Sequence, residues 1–192
     1  ALSGHKINGE YKPKLAKAIA QTTAQAILLF TSMVKVAPGI AIAGGATSSP
    51  GSLLGAAPPK PLLKGLALGF LQAGGIRGEN APDLAKVIAG AVAQGLQLFT
   101  ASVMASPGIA IAGFVTAAPG TLTGAAPQAS ALAGIANGLC SANKLQGEHA
   151  PDLADALGQT VADALTQLMS RAMVAPGIPS SPGATAGPGR LL

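Results

Sequence analysis

A nine-residue stretch returns twice at a fixed interval, and that interval constrains the chain more than its composition does. Gly9-Glu-Tyr-Lys-Pro-Lys-Leu-Ala-Lys is followed 69 residues later by Gly78-Glu-Asn-Ala-Pro-Asp-Leu-Ala-Lys, and after the same step by Gly147-Glu-His-Ala-Pro-Asp-Leu-Ala-Asp. Each copy opens a helical pattern that stops at a Pro-Gly-Ile, at Pro38, Pro107 and Pro176. A fixed period of this kind marks units that bury their apolar faces only by stacking on one another or on other chains. The chain therefore divides into residues 1–69, 70–138 and a truncated third copy, 139–192. The period leaves open whether the copies stack linearly or close into a pseudo-threefold arrangement.

Within each copy a long helix is predicted, over 13–36, 82–105 and 151–174. Pro13, Pro82 and Pro151 suit a first helical turn, where the missing N–H is not needed, and the prolines of Pro-Gly-Ile disfavour helix just before them. Glu10, Glu79 and Glu148 recur just ahead of these helix starts. There they complement the positive end of the helix dipole, which makes them structural rather than catalytic acids. Asn80 with Asp83, and His149 with Asp152, have the spacing of a cap and a partial capping box.

The first helix is amphipathic, with Lys14, Lys17, Gln21, Gln25, Ser32 and Lys35 on its polar side; the second is apolar almost all round, which predicts burial. Ile40-Ala-Ile-Ala-Gly and Ile109-Ala-Ile-Ala-Gly alternate with period two and predict short extended segments, whereas the third copy reads Ile178-Pro-Ser-Ser-Pro. Thr47, Thr116 and Thr185 each open Thr-x-x-Pro-Gly-x-Leu, a turn signal.

Shorter linking helices are expected near 61–73 and 128–142. Their Gly65/Gly69 and Gly134/Gly138 pairs have the G-x-x-x-G spacing that permits close helix packing. The linkers fall short of the roughly 20 apolar residues that span a bilayer, and polar residues interrupt the long helices. The tail 179–192 is rich in Pro, Gly and Ser and can bury little of itself, so a neighbouring chain is expected to hold it. The fold class expected from these features is mainly α: three ungapped repeats, each a long helix followed by an extended Pro/Gly-rich segment, with shorter linking helices.

Composition narrows the function. Charged residues make up 10% of the chain, against about 25% in typical soluble domains, which predicts a surface largely covered by partners. The net charge of +5 is concentrated in residues 1–69, which carry +6, against 0 for 70–138 and −1 for 139–192. Without interleaved aromatics this gradient reads better as a solvated face than as a nucleic-acid site. Cys140 is expected to be a small buried hydrophobe. His149 beside Glu148 and Asp152 lacks the spacing of familiar metal motifs, and Gly74-Gly-Ile-Arg-Gly lacks the Lys-Ser/Thr of a phosphate loop.

No catalytic, cofactor or metal site is expected. The leading expectation is a non-enzymatic structural subunit of a large assembly, in a phage virion or contractile tail, made in the cytoplasm and then incorporated into a particle. Its expected partners are other subunits, contacted in part by the C-terminal tail, and no small-molecule substrate is expected. A membrane-surface or pore-associated helical protein is the alternative, and a nucleic-acid-binding module using the basic first copy is the third reading; membrane and nucleic-acid partners are the less favoured.

Overall fold

The computed structural model describes residues 11–192. Among these residues, five helices run over α1 Lys12–Met33, α2 Lys60–Ala73, α3 Ala81–Ser102, α4 Ala129–Ala142 and α5 Ala150–Arg171. Twelve short strands follow the long helices in groups of four. They are β1 Lys35–Val36, β2 Ile42–Ala43, β3 Ala46–Thr47 and β4 Gly51–Leu54; β5 Val103–Ala105, β6 Ile111–Ala112, β7 Val115–Thr116 and β8 Gly120–Gly124; and β9 Met173–Val174, β10 Ser180–Ser181, β11 Ala184–Thr185 and β12 Gly189–Arg190.

The mainly α expectation is overturned: the described residues are 52% helix and 19% strand, with a six-stranded antiparallel sheet. The Pro/Gly-rich connectors supply the strands of this sheet. Their backbone groups pair with one another, which satisfies polar groups that helices alone would leave open. The sheet order is β12-β1-β4-β5-β8-β9. A Val174–Leu191 bridge joins its two ends, where Met173 and Leu192 exchange backbone bonds of 3.2 and 2.8 Å. Each segment contributes two adjacent strands to this ring, β1 with β4, β5 with β8, and β9 with β12, so closing the ring takes all three segments. The molecule is thus not a stack of helical units.

The long helices end at Met33, Ser102 and Arg171, three residues before the ends expected from the prolines. At each end the next residue is already extended and caps the helix with its backbone N–H, Val34 to Phe30, Val103 to Phe99 and Ala172 to Leu168. The residues that follow are taken by the sheet. Val36, Ala105 and Val174 are buried, as are Leu53 and Leu191. This apolar filling continues into the bundle through Phe30 and Phe99, whose rings meet edge to face at 6.1 Å. A second cluster around Ile19, Leu71, Ile88, Cys140 and Leu157 fills the bundle nearer the helix starts.

Three buried threonines close the molecule in a cycle. The Thr47 hydroxyl accepts the Ile109 N–H at 2.9 Å, Thr116 accepts that of Ile178 at 2.9 Å, and Thr185 accepts that of Ile40 at 3.0 Å. Backbone bonds reinforce each step, with Thr47 donating to Ile109, Thr116 to Ile178 and Thr185 to Ile40. The last link joins the tail to the first segment. The tail therefore lies on its own chain, contrary to the expectation that a neighbour holds it. Each preceding Pro-Gly turn needs its glycine, because Gly39, Gly108 and Gly177 have φ of +87°, +92° and +88°. Thr116→Val would keep the shape and strand the buried Ile178 N–H. It should cost about 1–3 kcal/mol, read as a lower denaturant midpoint at unchanged slope; an unchanged midpoint would show that the hydroxyl is dispensable.

Candidate functional site

The starts of the long helices gather at the end of the bundle away from the strand ring. Pro13, Pro82 and Pro151 are each the second residue of their helices. The capping boxes are not formed. Asn80 and His149 precede their helices with φ/ψ of −86°/−5° and −99°/7°, and neither side chain bonds the helix backbone. An N-cap side chain reaches the N2 or N3 amide from an extended backbone, which these residues do not have. Instead, Ala81 and Ala150 donate to the Gly78 and Gly147 carbonyls at 3.0 Å. Asp83 pairs with Lys86 at 2.6 Å, and His149 Nδ1 stands 3.4 Å from Asp152 Oδ2.

Between these helix starts lies a cavity of about 510 Å³. Leu15, Leu84 and Leu153, one from each long helix at equivalent positions, converge on it together with Ile76 and Leu145. Glu79, Asn80, Lys144, Gln146, Glu148 and His149 supply its polar lining. Glu10 and Ile7, the first-copy counterparts of Glu79 and Ile76, lie outside the described residues. Chemically the cavity suits an apolar side chain. Among the described residues, no three His, Cys, Asp or Glu side chains group in a way that could hold a metal ion. Cys140 is 1% exposed, and burial pushes its thiol pKa up, away from the thiolate that a nucleophile requires.

The glycines singled out from the sequence are not packing sites within the chain. A Cβ added at Gly65, Gly69, Gly134 or Gly138 meets nothing within 4 Å, and all four are exposed. They lie on the outer faces of α2 and α4, whose inner faces present Leu63, Ala67 and Leu71, and Leu132, Ala136 and Cys140. The glycines at close approaches are in the long helices. A Cβ at Gly90 would lie 2.8 Å from the Leu139 side chain, one at Gly95 2.8 Å from Val161, and one at Gly158 2.5 Å from the Ala133 backbone nitrogen. Their signal in the sequence is position: glycine costs about 1 kcal/mol inside a helix, so its presence there points to a packing need.

A second correction concerns α3. It is long and apolar enough to cross a membrane, with an 18-residue window of mean hydropathy 1.3, although its polar residues led to the opposite expectation. Lys86 and the glutamines are too few to offset its Val, Ile, Leu and Ala. Buried residues make up 61% of that window, since α3 is the central helix and packs against the other four. No protein-family model, curated protein or solved structure matches the chain.

Proposed function

We propose that the protein is a non-enzymatic structural subunit of a larger protein assembly, with a phage particle or contractile tail as the first setting to examine. The observation that carries this reading is the cyclic closure of one chain through Thr47–Ile109, Thr116–Ile178 and Thr185–Ile40. A body closed in this way offers three related backbone faces around one axis, but with different side chains on each. Such a body can occupy a threefold axis and still distinguish three neighbours. Its outer surface supports the same reading: Leu28 is 61% exposed and Phe114 74% exposed, and scattered apolar side chains on a surface so poor in charge suit contact with other subunits.

The test is to size the purified chain and to fractionate native particles from its source, following the chain by mass spectrometry. Stable, stoichiometric recovery with the particles is expected. A chain found only free, or one that co-sediments with liposomes or is retained on DNA in a salt-dependent way, overturns the proposal.

A further inference from the structure

The hairpins between the ring strands form a layer of their own. β2–β3, β6–β7 and β10–β11 leave the ring at the strand ends that lead away from the helices. Each is tied to the next through its tip: the Ile111 N–H donates to the Gly45 carbonyl at 2.8 Å, that of Ser180 to Phe114 at 2.7 Å and that of Ile42 to Gly183 at 2.9 Å. One side of this cap faces the core, where Ile40, Ile109 and Ile178 are buried. The other side is exposed. All three members of the cap are present and joined, and the helix starts lie at the opposite end of the molecule from it.

Two features set the exposed side apart. It carries no charge: residues 37–50, 106–119 and 175–188 include no Asp, Glu, Lys, Arg or His. The cations Lys35 and Arg190, opposite one another on β1 and β12, belong to the ring behind it. It also carries a single knob. Phe114 is 74% exposed and Val115 beside it 42%, whereas steps of 69 residues put Gly45-Ala46 and Gly183-Ala184 at the other two tips.

Two hairpins close without a side chain at the knob position, so the fold does not require Phe114. The backbone permits it. Gly44 and Gly45 both have positive φ, +60° and +79°, but in the second hairpin only Gly113 does, at +63°, which leaves the next position free to carry a side chain. The first tip is the reverse of the second: bare backbone beside the exposed Ala43, where a Cβ on Gly44 or Gly45 would meet nothing within 4 Å.

Knob and bare seat thus share one surface. That is the condition for a twofold contact, in which the patch one copy offers is also the patch that receives its partner. Charge selects the same occupant. The chain carries +5, so copies repel one another through their charged surfaces, whereas across the cap no like charges meet and none has to be desolvated.

We propose that a second copy of this chain docks on the cap, forming a twofold dimer in which Phe114 of each copy lies on the Gly44–Gly45 tip of the other. The inference goes beyond the assembly reading, because it concerns the purified chain alone. A contact of one hairpin layer suits a reversible pair rather than an obligate one.

Sedimentation equilibrium of the full chain over a range of loading concentrations is the test, and a monomer–dimer equilibrium is expected. Phe114→Gly gives the second tip the residue of the other two. It should weaken the dimer at least about tenfold, as loss of a central aromatic anchor does, with an unchanged melting temperature. Phe114→Lys and Ala43→Glu should each abolish the dimer, and an equimolar mixture of the two variants should restore it. In a mixed pair the new lysine of one copy meets the new glutamate of the other, and the second contact is that of the unsubstituted chain. A chain that stays monomeric at every concentration overturns the proposal, as does a dimer that Phe114→Gly leaves intact, a mixture that does not pair, or a monomer that floats with liposomes through Phe114. A monomeric chain that is still recovered with particles loses the dimer and keeps the assembly reading; a dimer never recovered with particles does the reverse.

Discussion

Ending the chain at Ala186 should lower the melting temperature of the purified protein by about 10 °C. The deletion removes β12, the strand that joins β1 on one side and meets β9 on the other through the Val174–Leu191 bridge. It strips backbone partners from Lys35, Val36, Met173 and Ala175, and it uncovers Val36 and Ile178, which are 0% and 3% exposed in the complete chain. Losing the buried Leu191 side chain costs about 2 kcal/mol, and each stranded backbone group that stays buried adds about 1 kcal/mol or more. A total of about 3–5 kcal/mol is a large share of the stability of an ordinary domain, and for a chain of this size it corresponds to a shift near 10 °C. Calorimetry on the isolated chain is the measurement. A shift below about 2 °C would mean that the ring does not depend on its last strand.

That result would also separate what could be read from the sequence from what could not. The helix starts were legible because Pro13, Pro82 and Pro151 each precede a helix-period run, and both signals are local. The sheet was not legible. Its strands are two to five residues long, too short for period two to stand out, and their partners are distant in sequence: Lys35 pairs with Arg190, and Thr116 with Ile178. In Ile178-Pro-Ser-Ser-Pro the alternation that marks the earlier copies is absent, yet Ser180–Ser181 still pairs with Ala184–Thr185. Backbone geometry there is set by the two neighbouring hairpins rather than by side-chain pattern, since the Ser180 N–H donates to the Phe114 carbonyl. The tail was misread for the same reason: its composition favours disorder, but its hydrogen-bonding capacity is used by strands about 150 residues away in the chain. At the helix-start end, the recurrence of Leu15, Leu84 and Leu153 was visible, but their convergence on one cavity required the closed arrangement.

Gly158→Leu and Gly134→Leu should differ sharply, although both place a branched side chain on a helix. At Gly158 the added Cβ falls 2.5 Å from the Ala133 nitrogen and 2.7 Å from the Ala129 oxygen. The obstacle is the backbone of α4, so no rotamer change relieves it, and α4 must move off α5 along their contact. Overpacking of this kind costs about 1–3 kcal/mol, and more where the neighbour cannot yield; the upper end is expected here because α4 has a helix on each side. At Gly134 the same substitution projects into open space and replaces glycine with a better helix former, a gain of up to about 1 kcal/mol. The spacing of Gly134 and Gly138 suggests the opposite ranking if read as a helix contact. Urea unfolding of the two variants decides between them: Gly158→Leu should shift the midpoint down strongly, while Gly134→Leu should hold or raise it. If Gly134→Leu instead leaves the isolated chain stable but blocks its entry into particles, the outer face of α4 is a contact with a neighbouring subunit, and its glycines serve the assembly rather than the fold.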